Sequence, residues 1–504
     1  MTVVSAHPSR NVRPRLWLGL LAAWCSAYFF TGGGASPAAH YATARAILEH
    51  QTFVLDAYPF VNVDVAKAQG HTLSNKPPGF PLMILPAAAV GLAAESLWPG
   101  RLGVARQVGA HVTQVLALGG LGCVVLWCLS SIFTRLGMGR RAPLLAALGY
   151  LGSYLWTYST TFFSHLGTAA LASGVALLVV RSLVEDRAWS TREGFWLGFL
   201  LGWGVITEYS VVFAFFPVGL WALWRAPSTS LRGALVLGAL VPGLVLMAHN
   251  TAYLGGPLEL SYGHLSTDHQ VEGLRQGFFG YSKPKWMEFK ELSFGTYRGL
   301  FLVAPPTLVG LLGLAACARG GIMGSASRMA LLGVLAMLVS LSGYFFWHGG
   351  SSFGPRFLVP VIPWLVLGLS TVWLQGRPGQ AVVAISAMLG FCFMLLGPAV
   401  CMIPHASPTP DYNTIKFLGE KFLNGQVPAY AGDLFGESFL PPDQRPVLGL
   451  GYNLGHVLGL KGTQSVLPFV LGVLALLQRV WSSGTSPSTG SVSPSPAAPP
   501  GTTC

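Results

Sequence analysis

The stretch QAVVAISAMLGFCFMLLGPAVCMI, residues 380–403, carries no charged side chain. A helix needs about 20 apolar residues to cross a hydrocarbon layer of ~30 Å, and this run is long enough. Similar runs recur at 16–32, 79–97, 107–134, 142–160, 165–183, 193–207, 209–224, 233–254, 297–317, 328–348, 356–375 and 464–482. Of the 504 residues, 52% are hydrophobic and 10% charged, where a soluble domain has about 25% charged. The expected fold is an all-α polytopic membrane protein, a bundle of about 11–13 transmembrane helices. A β-barrel would need short alternating segments instead.

The charge pattern gives the bundle an orientation. A net charge of +12 would suit nucleic acid, but Arg135, Arg140, Arg141, Arg225, Arg232, Arg319, Arg328 and Arg377 sit in turns between spans, as cytoplasmic topology signals do. No nucleic-acid partner is expected. Residues 1–15, with Arg10, Arg13 and Arg15, are expected in the cytoplasm, and "TGGGASPAAHY" is too poor a cleavage site for a signal peptide. Residues 16–403 then form the transmembrane unit, with a first outer loop at 34–78. A second large outer loop follows at 404–463, a last helix at 464–482, and a low-complexity, disordered tail at 483–504. The parity conflicts at 79–97: Lys76 outside and Arg135 inside leave one crossing too many. Either that segment does not cross, with Pro81 and Pro86 making it re-entrant, or the positive-inside count misleads. The seven cysteines include no CxxC or Cys/His cluster, so neither a disulfide framework nor a metal site is indicated.

Polar residues gather near the expected outer face. "SPAAHYATARAILEH" (36–50) reads as a surface helix, with Tyr41, Ala44, Ile47 and Leu48 on one side and Arg45 and Glu49 on the wet side. "LDAYPFVNVDVAKAQGHTLSNKPPG" (55–79) carries Asp56, Asp64, His71 and Lys76; "TFFSHLG" carries Ser164 and His165; "GYFFWHGGSSFGPRFLVPVIPW" (343–364) carries Trp347, His348 and Arg356. His249 and Asn250, Glu208 and Tyr209, and Tyr297 and Arg298 fall at similar depth. Each has a plain explanation: Lys and Arg snorkel, aromatic residues form interfacial belts, and single histidines satisfy helix contacts. The coincidence points further. Two cations from distant segments, each beside helix-breaking Pro or Gly on one face, suit a phosphate, and a nearby carboxylate can take a proton from a hydroxyl.

"YATARAILEH", "LSNKPPGFP" and "GYFFWHGGSSFGPRFLVPVIPW" resemble the GT-C superfamily of membrane glycosyltransferases, the group of the protein O-mannosyltransferases and the aminoarabinose transferase of lipid A. The resemblance covers most of residues 15–400, and its distinctive parts are the Lys-Pro-Pro and Gly-Pro-Arg stretches. It implies a multi-pass protein of the inner membrane that passes a sugar from a polyprenyl-phosphate donor to a hydroxyl on a lipid, glycan or protein at the outer face. It further implies that Lys76 contacts the carrier phosphate, assisted by Arg356. Members carry an acid, often Asp-Glu, shortly before the tyrosine of the surface helix; this chain has Ser36 and Pro37 there, which places it nearer a divergent bacterial branch. The catalytic carboxylate then falls to Asp64 or Asp56, with Asp64 favoured as the nearer to Lys76. His71, His165 or His348 would orient phosphate or sugar, and Trp347 would stack on the sugar ring. No obligatory metal is expected, because Asp56 and Asp64 lack the dense acidic cluster of a hard-cation site, although some members of the superfamily use a divalent metal. Two rivals stand: a transporter or lipid flippase, since broken helices and intramembrane ionisable groups also mark those, and a non-catalytic relative in envelope assembly. Acceptor choice is expected to reside in loops 255–296 and 404–463.

Overall fold

The computed structural model describes residues 12–98, 100–404 and 412–485. Most of the 483–504 tail lies outside these. The protein is an all-α, polytopic membrane bundle. Among the described residues, eight helices are long and apolar enough to cross a bilayer, and two shorter apolar helices accompany them, Tyr209–Arg225 and Pro305–Cys317. The elements that shape the site come early: α1 (Val12–Tyr28), α2 (Ala35–His50), β1 (Val65–Ala68), β2 (His71–Ser74), α3 (Gly79–Ser96) and α4 (Leu102–Phe133).

Side-chain contacts mark the two ends of the bundle. At one, the Trp127 indole donates to Arg15 O at 3.0 Å, Arg135 lies 3.9 Å from Glu185, and Arg328 donates to Ala318 O at 2.8 Å. This is the arginine end. At the other, Phe29–Phe30 pairs antiparallel with Tyr452–Asn453 of the long loop. Helices run alternately between these ends, and their closest approaches use glycine. A Cβ on Gly198 would stand 1.9 Å from Leu235 O, and one on Gly238 would stand 2.0 Å from Phe195 O. Those two helices, Thr191–Thr207 and Thr229–Tyr253, therefore pack backbone to backbone, as small residues permit where lipid supplies no hydrophobic drive.

α3 breaks the alternation. It is a continuous helix with Pro86 inside it, not the re-entrant segment the prolines suggest, and by length and apolarity alone it passes for a span. Yet both of its ends are held at the loop end. At its start Phe80 meets His40 of α2, ring centroids 5.0 Å apart, and at its finish Glu95 pairs with Arg45 of α2 at 2.7 Å. Just beyond, Arg101 donates to Asp443 O at 2.9 Å and Gly103 N to Gln444 O at 2.9 Å, both in the long loop. α3 thus lies alongside α2 and does not cross, which removes the parity conflict. α4 accommodates it: at 1.5 Å per residue its 32 residues reach about 48 Å, well beyond the ~30 Å hydrocarbon layer, and its first turns pack against α3, where a Cβ on Gly109 would stand 2.9 Å from Gly91 O.

α2 also differs from expectation. Its supposed wet side is covered, and Arg45 is buried between Glu49, Glu95 and the Phe435 ring, whose centroid lies 5.1 Å from the guanidinium. The apolar α3 and the 431–436 loop, folding over α2, account for this; neither is visible from the periodicity of α2 itself.

Candidate functional site

The hairpin β1–β2 explains how Asp64 and Lys76 meet. Gln69 and Gly70 have φ of 51° and 80°, the two positive values that a tight primed turn needs between right-twisted strands. The ladder from Ala68↔His71 to Val65↔Ser74 brings the residues flanking it together. Asn75 N donates to Asp64 O at 3.1 Å, and Lys76 Nζ lies 3.4 Å from Asp64 Oδ2. Lys76-Pro77-Pro78 then leads into α3 at Gly79, where a Cβ would stand 2.5 Å from Ile206 O. Only glycine lets the chain pass that close to the Thr191–Thr207 helix.

Arg356 arrives from elsewhere. The preceding loop turns through Gly349, Gly350 and Gly354, all at positive φ. Arg298, fully buried, braces it by donating to the carbonyls of Gly350 and Ser352. Arg356 is itself 6% exposed and lies 5.1 Å from the Phe163 ring centroid and 5.0 Å from that of Phe357; its Nε has no hydrogen-bond partner among the described residues.

Asp64, Lys76 and Arg356 line one cavity at the loop end, together with Ser36, His165, Glu208, Tyr262, Gln270 and Tyr344. Burial would raise the Asp64 carboxyl, but Lys76 and Arg356 outweigh it, and the group is held below the ordinary carboxylate range. Gln270 Nε2 adds a contact to Asp64 at 3.4 Å. Across this cation pair, Glu208 accepts from Ser164 Oγ at 3.0 Å and lies 3.8 Å from His165 Nδ1, which has no hydrogen-bond partner among the described residues.

Four of the sequence candidates lie outside this cavity. Asp56 and His71 form an exposed pair at 2.8 Å, near the turn of the hairpin and away from its open end. His348 accepts from Gly350 N at 3.1 Å and packs on Phe346 with centroids 4.7 Å apart, so it shapes the glycine turn. Trp347 packs edge-on to Tyr297 at 6.3 Å. The cavity also contains residues assigned no role from the sequence: Tyr262 and Gln270 from loop 255–296, Tyr344, and above all Glu208, noted there only for its depth. The available signal for Glu208 was a lone carboxylate between two apolar runs in "GVITEYSVV" (204–212), expensive unless used. Among the described residues, no group of three or more His, Cys, Asp or Glu side chains is placed to hold a metal ion.

No protein-family model matches the chain, and no curated protein matches it. Solved structures do. ArnT from Cupriavidus metallidurans, bound to undecaprenyl phosphate, is similar over 95% of this chain and 76% of its own, with 15% identity and a TM-score of 0.49. The archaeal oligosaccharyltransferase AglB from Archaeoglobus fulgidus, in complex with an inhibitory peptide and a dolichol-phosphate, is similar over 83% of this chain and 60% of its own, with 12% identity and a TM-score of 0.48. Both belong to the GT-C superfamily that the sequence motifs resemble.

The loop elements around the cavity are tied to one another. Ser261 Oγ donates to Asn75 O at 2.8 Å and Ala66 bridges to Leu265, so loop 255–296 closes over the hairpin that carries Lys76. A bound group would be screened from water on that side, which strengthens every electrostatic contact made to it.

Proposed function

We propose that the protein is a GT-C-type glycosyltransferase that moves a sugar from a polyprenyl-phosphate donor to a hydroxyl acceptor at the outer face of the inner membrane. The observation that carries this reading is the shared cavity of Lys76 and Arg356. Two cations, far apart in sequence, converge there on one cavity beside carboxylates. An ammonium and a guanidinium so placed neutralise the charge that grows on a departing phosphate, and they need no reorganisation to do it. A carboxylate of the same cavity takes the acceptor proton. The acceptor oxygen attacks the anomeric carbon from the side opposite the phosphate, and the configuration inverts.

The test uses the purified full chain in liposomes with a panel of radiolabelled hexosyl undecaprenyl phosphates. Label is expected to leave the lipid fraction for at least one donor, as transfer or as slow hydrolysis. Movement of intact labelled donor between leaflets without cleavage would favour the flippase. Inertness toward the whole panel, in folded protein, would favour a non-catalytic role.

A further inference from the structure

The cavity holds two carboxylates in different surroundings, and the difference separates their roles. Asp64 is engaged: Lys76 Nζ lies 3.4 Å away, and Gln270 Nε2 touches its other oxygen. An acid neutralised in this way is a poor proton acceptor and a good anchor. Glu208 is 6% exposed and lines the same cavity, with no lysine or arginine within ion-pair distance among the described residues; its neighbours are the Ser164 hydroxyl and the His165 ring. It occupies an extended residue, φ −155° and ψ 113°, between the end of the Thr191–Thr207 helix and the turn at Tyr209. No helix hydrogen bond on its own N–H side is lost, since Glu208 N donates to Gly204 O at 2.9 Å. The break thus places a carboxylate in the cavity at little backbone cost, facing Lys76 and Arg356 but with neither in direct contact among the described residues. Two titratable groups held apart by environment divide acid–base work in this manner. Ser36, also on the wall, offers only a hydroxyl.

We infer that Glu208 is the general base, and that Asp64 positions Lys76 for the phosphate. This rests on the glycosyltransferase reading above. In the step, the acceptor O–H proton passes to a Glu208 oxygen as the acceptor oxygen bonds to the anomeric carbon. The bond from that carbon to the phosphate oxygen breaks with its electron pair, leaving polyprenyl phosphate beside Lys76 and Arg356. Glu208 returns the proton to water after product leaves. His165, whose Nδ1 lies 3.8 Å from the Glu208 carboxylate, is a positioning residue for it.

Azide separates the roles, because it attacks the same carbon as an anion and has no proton to give up. The full chain in liposomes is assayed with whichever labelled hexosyl undecaprenyl phosphate it turns over, once with water or glycerol as acceptor and once with saturating azide. For Glu208→Gln, transfer to oxygen is expected to fall by about 100-fold or more, while glycosyl azide forms near the wild-type rate and the donor KM stays put. For Asp64→Asn, both reactions are expected to fall together, with a raised donor KM. Should Glu208→Gln not fold, Glu208→Asp keeps the charge but withdraws it by one methylene, and is expected to be slowed on oxygen and spared on azide. Normal oxygen transfer in a folded Glu208 variant, or equal loss on oxygen and azide, overturns the assignment and leaves the glycosyltransferase reading intact. A wild-type protein that cleaves no donor, with oxygen or with azide, overturns both.

Discussion

Lys76→Ala is expected to lower sugar transfer in liposomes by about 100- to 1,000-fold, the usual cost of removing one preorganised group from a developing anion. The loss has two sources. The ammonium that meets the phosphate is gone, and Asp64, 10% exposed at its side chain, loses its ion-pair partner and keeps only the more distant Arg356. The second source repels the donor even where Arg356 remains. Lys76→Arg is expected to recover part of the activity, since it restores charge but replaces a compact ammonium with a planar fork. The double variant Lys76→Ala/Asp64→Asn separates folding from chemistry: it removes the unpaired charge, so its thermal midpoint should return toward wild type while transfer stays low. Initial rates against donor concentration, with melting curves on the same preparations, check both points. A Lys76→Ala protein that works at near-normal rate would remove the phosphate cradle from the mechanism.

Arg45→Met is expected to be the most damaging substitution to stability, by about 3–5 kcal/mol, because it strips the shared partner from two carboxylates in a largely enclosed site. Arg45 Nη1 contacts Glu95 at 2.7 Å, and Nη2 contacts Glu49 at 2.7 Å, so one guanidinium ties α2 to the end of α3. Adding Glu95→Leu should return part of the loss, since residues in one network do not add. The same network predicts an acid limb. Burial would raise Glu49, but hydrogen bonds from Arg45 and Tyr58 outweigh it and bring the carboxyl below its ordinary value. A carboxyl depressed by folding stabilises the protein above about pH 4.3, and that contribution fades as the pH falls through the folded value. Arg45→Met should therefore flatten the acid side of a stability–pH profile as well as lower it, measured by thermal unfolding in detergent.

What could be read from the sequence, and what could not, follows from the range of the interactions involved. Apolar runs such as 380–403 declare a membrane bundle, because the bilayer imposes length and composition locally. The pairing of Lys76 with Arg356 was legible only as a coincidence of charge and helix breakers. Its geometry depends on the β1–β2 turn and on the Arg298 brace, the second of which reaches across more than fifty residues to Gly350 and Ser352. Asp56 and Asp64 looked equivalent as loop acids, yet the hairpin sends one to solvent and the other into the cavity, since they lie near opposite ends of its ladder. Glu208 was visible but mute: nothing near it in sequence says that the Ser164–His165 turn and the loop bearing Lys76 converge on it. α3 misled for the converse reason. Its composition obeys the rule for a span, and only its partners at both ends show that it is none.

That last feature fixes where tags on this chain will report. With α3 withdrawn from the count, α1 begins and the Leu467–Thr485 helix finishes on the same side, where the Arg479 guanidinium lies 5.8 Å from the Trp17 ring centroid. Fluorescent proteins fused before Val12 and after Thr485 share a compartment, and a phosphatase fused at either junction meets the same redox environment as the other. A pair of fusions that disagreed would mean that the bilayer is pierced once more than these contacts allow.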